Sequence, residues 1–346
     1  MLITFVVSNT SMKVGSYRIW IHDFSKYLEK SSIDGRPVRT AIVNNAGSVP
    51  AGSDVVIFSK GDYRFASSFR NSYDGTIGAI NVSASEATHK GIDFVIVGSI
   101  EERISLTSKY ENVFIVNLIE EMHNHGNIKE HEDKDCLVLG IHGSYTHIPK
   151  LQYGFIQAVE ELNSETPNSF EILSVSNEKD KALEFFRSMG IKNTKLECRE
   201  WSFERFTNDL TEMDIGIVCN STNLMQMYPD LTKVHAPEIG IYDSDYSMRF
   251  KNKSNPGRAF VFFQNGIPVV ADLTPSHLPI LHNEDNGYIA FDKSSWKIAL
   301  NNLRKKEVRQ LKAINALKSF HENYSMLSDA EKLLKNIMEI NSDSNN

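Results

Sequence analysis

Short apolar runs recur along the first third of the chain, each followed by a polar stretch. They are Leu2 to Val7, Val38 to Val43, Asp54 to Ser59, Ile77 to Val82, Phe94 to Gly98 and Val113 to Val116. Runs of this length without polar alternation read as strands covered on both faces. Between the first two lies an amphipathic stretch, Tyr17 to Leu28, with Ile19, Phe24 and Leu28 near one face of a helix. Ser99 stands before an apolar-periodic segment from Ile100 to Tyr110, with Glu102 three residues on, which is the signature of a helix N-terminus. Strands that alternate with helices in this way predict a parallel, doubly wound sheet.

The pattern stops at Glu120 to Asp135, which has no apolar period and reads as an interdomain linker. It restarts with strands at Leu137 to Ile141, Phe170 to Val175, Thr194 to Cys198 and Asp214 to Cys219, separated by helices at Lys150 to Leu162, Lys179 to Met189 and Ser202 to Thr211. Strands at Ile267 to Ala271 and Tyr288 to Phe291 follow a long loop. The C-terminus reads as helix from Glu307 to Ile340, broken around Tyr324 to Ser328. We therefore expect a first Rossmann-like domain over 1–130, a second over 131–320, and a C-terminal helix and tail over 321–346 that cross back to the first.

One stretch departs from this regularity. Arg249-Phe-Lys-Asn-Lys-Ser-Asn-Pro-Gly-Arg258 carries four cations and no carboxylate, and it leads into Ala259 to Phe263, which is apolar on every side. Asn255 suits an N-cap and Pro256 the first helical position, while Asn265-Gly266 supplies a left-handed stop. A buried helix entered through a cationic loop predicts an anion site, with free N–H groups and positive side chains at one place. Phosphate or diphosphate is the expected anion.

Charge sharpens this reading. The chain carries a net −7, of which −1 belongs to 1–130 and −6 to 131–346, so the basic stretch lies in the more acidic half. That points to a specific small anion and away from nucleic acid, and it leaves membrane contact at most peripheral. No apolar run is long enough to cross a bilayer. The three cysteines, Cys136, Cys198 and Cys219, match no zinc spacing and fit reduced thiols in the cytoplasm. His123, His125 and His131 sit among acids in the linker, where polar composition alone accounts for them, and no metal site is expected. No Gly-x-Gly-x-x-Gly follows the first strand, so no nicotinamide or flavin cofactor is expected; a Walker lysine motif and a Gly-x-Ser-x-Gly elbow are also missing.

In the second half, Ile141-His-Gly-Ser144, Trp201, Asp214-Ile-Gly-Ile217, Lys253-Ser-Asn255 with Arg258, Gly266-Ile-Pro-Val-Val270 and Asn286-Gly-Tyr288 before Trp296 resemble, in order and spacing, the donor half of GT-B glycosyltransferases. The first half resembles the acceptor domain of that family more loosely, through Gly15-Ser-Tyr-Arg18, Asp54-Val-Val-Ile57 and Phe94-Val-Ile-Val-Gly-Ser99. Many retaining members carry two glutamates eight residues apart, the second five before the glycine of the Gly-x-Pro-Val-Val turn. Here those positions hold Lys253 and Val261, so the contacts assigned to the acids do not carry over, and stereochemistry stays open.

The resemblance implies two Rossmann-like domains facing across a cleft, and transfer of a sugar from a nucleotide diphosphate to an acceptor hydroxyl on a glycan or lipid-linked glycan, in surface polysaccharide biosynthesis. It implies no cofactor and no metal. Lys253, Ser254, Asn255, Arg258 and Arg249, with Gly143 and Ser144 at the end of the Leu137 strand, would hold the donor diphosphate. Trp201, Ser221 and Asp272 would meet the nucleotide or sugar. His142 would touch the diphosphate or sugar, and Asp23, Glu86 or His89 would supply a base. The same residues leave open a sugar-nucleotide 2-epimerase or a non-catalytic nucleotide-sugar binding protein.

Overall fold

The chain opens with strand β1 (Leu2–Val6), hydrogen-bonded in parallel to β4 (Arg39–Val43) on one side and β5 (Val55–Phe58) on the other. The sheet continues through β6 (Thr76–Ile80), β7 (Phe94–Val97) and β8 (Asn112–Ile115), giving the order β4-β1-β5-β6-β7-β8. Every residue of β5, β6 and β7 is buried, as expected for a parallel sheet covered on both faces. A two-residue hairpin, β2 (Ser32–Ile33) with β3 (Arg36–Pro37), precedes β4 and has no apolar pattern to announce it. The structure is a computed structural model and describes residues 1–33, 35–84, 86–124, 128–150, 153–223, 248–250, 255–282 and 285–343.

A second sheet repeats the plan. Strands β9 (Leu137–Gly143), β10 (Phe170–Ser176), β11 (Lys195–Glu200), β12 (Ile215–Val218), β15 (Val269–Asp272) and β16 (Gly287–Ala290) run in the order β11-β10-β9-β12-β15-β16, and the neighbours pair in parallel. Strands β13 (Ser221–Asn223) and β14 (Met248–Phe250) form a small antiparallel ladder of their own. One face of the second sheet carries helices Tyr153–Glu165 and Lys293–Leu303. Between these two helices, Phe155 meets Trp296 edge-on with ring centroids 5.1 Å apart.

The chain divides into two units. The first holds Met1–Glu121, Asn252–Gly257 and Tyr324–Asn346, and the second holds Met122–Lys251 and Arg258–Asn323. The C-terminal helix is broken where the sequence indicates, between Lys306–Asn323 and Met326–Asp343. Its second part returns to the first unit and packs on helix Phe24–Lys30, and Asp329 Oδ2 accepts from both the backbone N–H and the side-chain amide of Asn117 (2.8 and 3.0 Å).

Two expectations need revision. The helix read as running evenly from Tyr17 to Leu28 has a wide π turn at Arg18–Asp23 before regular helix resumes at Phe24. Arg18, Ile19, Trp20, Ile21 and Asp23 are all buried, which exceeds the single stripe an α-helix can hide. The segment read as an interdomain linker is anchored in both units. Glu120 and Glu121 accept from Arg18 Nη2 (2.6 Å) and Tyr27 OH (2.5 Å) in the first, and the stretch from Lys129 to Glu132 is tied to the second. Lys129 Nζ donates to Met213 O (2.6 Å) and pairs with Asp214 (3.1 Å), His131 Nε2 donates to Gly266 O (3.0 Å), and Arg309 donates to Glu132 O. These partners lie far along the chain, so no local periodicity marks them.

Candidate functional site

The carboxyl edge of the second sheet gathers most of the expected residues. Helix Gly257–Gln264 is buried around its whole circumference, from Ala259 to Phe263 at 0–1% exposure. Asn255 Oδ1 accepts from Gly257 N (3.1 Å) at its start, and Gly266 takes φ +64° just past its end. The second residue of this helix is Arg258. Its Nη2 donates to Cys219 O (2.8 Å) and to Asn220 Oδ1. Among the described residues these are its only acceptors, so the Nε and Nη1 hydrogens stay uncommitted there. Burial lowers the Arg258 pKa to about 10, against the opposing pull of Cys219 and Asp272, so the group is a full cation at neutral pH.

His142 is the last residue but one of β9, beneath this arginine. It packs between Phe206 and Phe262, with ring centroids 5.1 and 4.9 Å away, and its Nε2 lies 3.2 Å from the Arg258 carbonyl oxygen. A carbonyl only accepts, so the Nε2 hydrogen is spent there. Burial first, then the Arg258 charge, push this imidazole down to about 3, which leaves it neutral. Gly143 follows with φ +120°, and a Cβ there would lie 3.1 Å from Arg258 Cδ. The glycine is what lets the arginine pass. Ser144 is exposed and opens a turn, its Oγ accepting from Thr146 N (3.4 Å) and its carbonyl from His147 N (2.9 Å).

Asp272, the last residue of β15, is fully buried and directed at the protein. Its Oδ2 accepts from Asn220 N (2.7 Å), and its Oδ1 lies 3.2 Å from His277 Nδ1. Trp201 is half-buried after β11, bonded through its backbone N–H to Ser176 O (2.8 Å), with its ring 6.2 Å from the Phe206 ring that also touches His142. Ser221 and Arg249 fall in the β13–β14 ladder, paired through their backbones with Phe250 and Thr222, and their side chains lie outside the described part. Lys251, Lys253 and Ser254, like His125 of the linker, lie outside the described residues.

The expected bases stand in the first unit, where Glu86 and His89 form one cluster and Asp23 another. Asp23 is buried in the π turn, 2.9 Å from His22 Nδ1 and 3.3 Å from Lys26 Nζ. Glu86 is bound by Arg64 (2.8 Å), Tyr63 OH (3.2 Å) and His89 Nε2 (3.3 Å), and the Arg64 bond above all holds its carboxyl at about 2. Two cavities open at the carboxyl ends of β1, β4, β5 and β6. One, of ≈ 160 Å³, is lined by polar groups that include Ser8, Asn9, Ser16, Ser59, Lys60 and Asp62. The other, of ≈ 530 Å³, adds Asn44, Asn45, Phe65 and Phe69 to Ser8 and Asp62. Neither lining contains Asp23, Glu86 or His89. Asp62 belongs to both, and one of its carboxylate oxygens accepts from Ser8 N (2.9 Å) and Ser59 Oγ (2.5 Å).

Asp62, Asn220 and His277 escape a reading of the sequence. The loops after β5 and β12 end buried strands, as binding loops do, but nothing local distinguishes Asp62 or Asn220 from an ordinary cap. His277 lies five residues beyond β15 in a loop whose partners are set by tertiary packing.

No protein-family model and no curated protein matches this sequence. Solved structures do. HepE from Anabaena, in complex with UDP and glucose, superposes with a TM-score of 0.62 at 12% identity over 98% of this chain and 100% of that one. Sucrose-phosphate synthase from Thermosynechococcus elongatus gives 0.65 at 9% identity, with 99% of both chains covered. A point mutant of S. aureus TarM, in complex with fondaparinux, α-GlcNAc-glycerol and UDP, gives 0.57 at 12% identity over 82% of this chain, which spans about half (55%) of TarM. The chain has the GT-B fold. Its second sheet is the half whose expected donor residues come together, and the GT-B likeness fits the return of Tyr324–Asn346 to the first unit.

Proposed function

We propose that this GT-B chain is a glycosyltransferase that moves a sugar from a nucleoside diphosphate to an acceptor hydroxyl in surface glycan biosynthesis. Arg258 carries the reading. It is a cation seated by Cys219, Asn220 and Gly143 at the carboxyl edge of a parallel sheet, where such folds bind ligands, with two of its nitrogens uncommitted among the described residues. HepE and TarM were both solved with UDP, which makes UDP the first nucleotide to try.

In this reading the bond between the anomeric carbon and the diphosphate oxygen breaks, and the electron pair leaves with the diphosphate. Arg258, with Lys253, Ser254 and Asn255 beside it in sequence, stabilises the charge that develops on that group. The acceptor oxygen bonds to the anomeric carbon and its proton passes to a carboxylate. Asp62 is the group we assign, because it lines both cavities at the carboxyl edge of the first sheet and its carboxylate is held by two donors. With protein cations on the leaving group, no divalent metal is required, and the partners are a nucleotide-sugar donor and a glycan or lipid-linked glycan acceptor.

The test is calorimetry with UDP, followed by product analysis with UDP-sugars. Arg258→Ala removes charge-assisted bonds worth about 1.5–3 kcal/mol, so UDP affinity should fall roughly tenfold or more without loss of fold. Equal affinity in the variant would move the diphosphate elsewhere. An isomerised donor in place of a glycoside would make the protein an epimerase. A chelator should leave turnover within about a factor of two, and a loss restored by Mg²⁺ or Mn²⁺ would count against Arg258 as the charge-bearing group.

A further inference from the structure

Behind Arg258 lies a chain of buried hydrogen bonds whose two ends are chemically one-sided. At the near end, Arg258 Nη2 faces the side-chain oxygen of Asn220, and a guanidinium only donates. At the far end, His277 Nδ1 is 2.8 Å from the Asp272 carbonyl oxygen, which only accepts. Between them, Asn220 Nδ2 is 3.2 Å from His277 Nε2. Asn220, Asp272 and His277 are at most 1% exposed.

The two ends set the middle without ambiguity. The Asp272 carbonyl demands a hydrogen on Nδ1, and a ring that carries a single hydrogen there presents Nε2 as an acceptor. That acceptor takes a hydrogen from the Asn220 amide nitrogen, so the amide oxygen must point the other way, towards Arg258. An Asn220 turned by 180° would set its NH₂ against the guanidinium and its oxygen against an Nε2 lone pair, a clash at both contacts. Asp272 adds a second hold, fixing the Asn220 backbone through its N–H at 2.7 Å.

We propose that His277, in its Nδ1–H form, is a positioning residue that orients Arg258 for an anionic ligand by holding the Asn220 amide in one of its two settings. The consequence for ligand binding rests on Arg258 gripping a nucleotide diphosphate, as proposed above. The orientation itself does not.

Three variants separate the roles of the ring nitrogens. His277→Gln places an acceptor near the position of Nε2 and should keep Asn220 set. His277→Asn keeps a donor near the position of Nδ1, facing the Asp272 carbonyl, but offers Asn220 nothing. Asn220→Ala removes the link while leaving His277 untouched. By nitrogen NMR of the unliganded protein, His277 should carry its hydrogen on Nδ1. The Arg258 Nε–H signal should shift in His277→Asn and in Asn220→Ala, and return towards wild type in His277→Gln. In calorimetry with UDP, His277→Asn and Asn220→Ala should each weaken binding about two- to tenfold, the range of one neutral hydrogen bond, and His277→Gln should stay within about twofold. Neither of the weakening changes should cost anything further on an Arg258→Ala background.

An Nε2–H or doubly protonated ring, an Arg258 signal indifferent to His277→Asn, or a loss that persists without Arg258 would each overturn the proposal. Failure of UDP to bind any form would count against the glycosyltransferase reading alone, because the NMR comparison decides the orientation without ligand.

Discussion

The two units share a six-stranded parallel sheet yet finish their carboxyl edges in opposite ways. In the second unit several of the described polar groups there are turned inward. Asp272, His277 and Asn220 bind one another out of solvent, His142 is spent on the Arg258 carbonyl, and one cation stands at the head of the network. In the first unit the corresponding loops leave their polar groups on cavity walls, with Ser8, Ser16, Ser59, Lys60 and Asp62 facing open volume. A buried, paired network is costly to rearrange and suits a ligand of fixed charge and shape. Hydroxyls, amides, one ammonium and one carboxylate on a roomier wall suit a ligand with many hydroxyls. In the proposed reading the same architecture offers one rigid and one accommodating site.

The largest test of this contrast removes the carboxylate of the accommodating site. Asp62→Asn keeps shape and can still accept from Ser8 N, but it cannot take a proton. If Asp62 receives the acceptor proton, transfer should slow about 10²–10⁴-fold while UDP affinity stays unchanged, as read by initial rates and calorimetry on the same preparation. A variant that transfers at the wild-type rate would leave the first unit without a base. One that loses UDP affinity would break the division of labour.

A second test uses acid. His131 and His142, both in the second unit, are pushed by burial to about 4 and about 3. The unfolded chain takes up protons on these rings below about pH 6.5, and the folded chain does not until the lower values are reached. The stability that depends on their neutrality is therefore complete above about pH 6.5 and lost as pH falls towards about 4. The slope is up to about 1.4 kcal/mol per pH unit for each ring. Amide exchange in β9 and β12 should accelerate across this range more than in β5 and β6, and His131→Gln should halve the excess. An equal response in both sheets would mean that the buried imidazoles do not govern it.

Most of the first sheet and the middle of the second are legible in the sequence because buried parallel strands are continuous apolar runs, as at Val55–Phe58 and Ile215–Val218. The all-round burial of Ala259 to Phe263 and the stop at Gly266 are visible for the same reason. Of the proposed anion site, the sequence shows its cation, Arg258, and the glycine that gives it room, Gly143, since both stand at strand or helix ends. It does not show what orients them. Asn220 is joined to Asp272 and to His277 across gaps of more than fifty residues in the chain, and hydrogen-bond partners at such separations leave no periodicity. The same holds for Asp62, whose importance comes from the volume it faces.

The finest test compares two glycines in equivalent settings. Gly78 in β6 and Gly216 in β12 each lie under a phenylalanine ring. A Cβ would come within 2.3 Å of Phe94 in the first case and 2.4 Å of Phe262 in the second. Alanine at either position must push its ring aside, and overpacking of this kind costs about 1–3 kcal/mol, so both variants should melt earlier by similar amounts. Their effects on ligand should part. Phe94 belongs to a strand of the first sheet and touches Phe114, with centroids 5.9 Å apart, whereas Phe262 sits on the helix that carries Arg258 and packs against His142. Displacing Phe262 shifts the ring beneath Arg258 and disturbs the seat of the guanidinium. Gly216→Ala should therefore weaken UDP binding as well as stability, while Gly78→Ala should lower stability alone. Calorimetry well below both melting points isolates the difference. Equal affinities in the two variants would mean that the network from Asp272 to Asn220 holds Arg258 without help from the packing beneath it. That result would assign the rigidity of the second site to its hydrogen bonds rather than to its core.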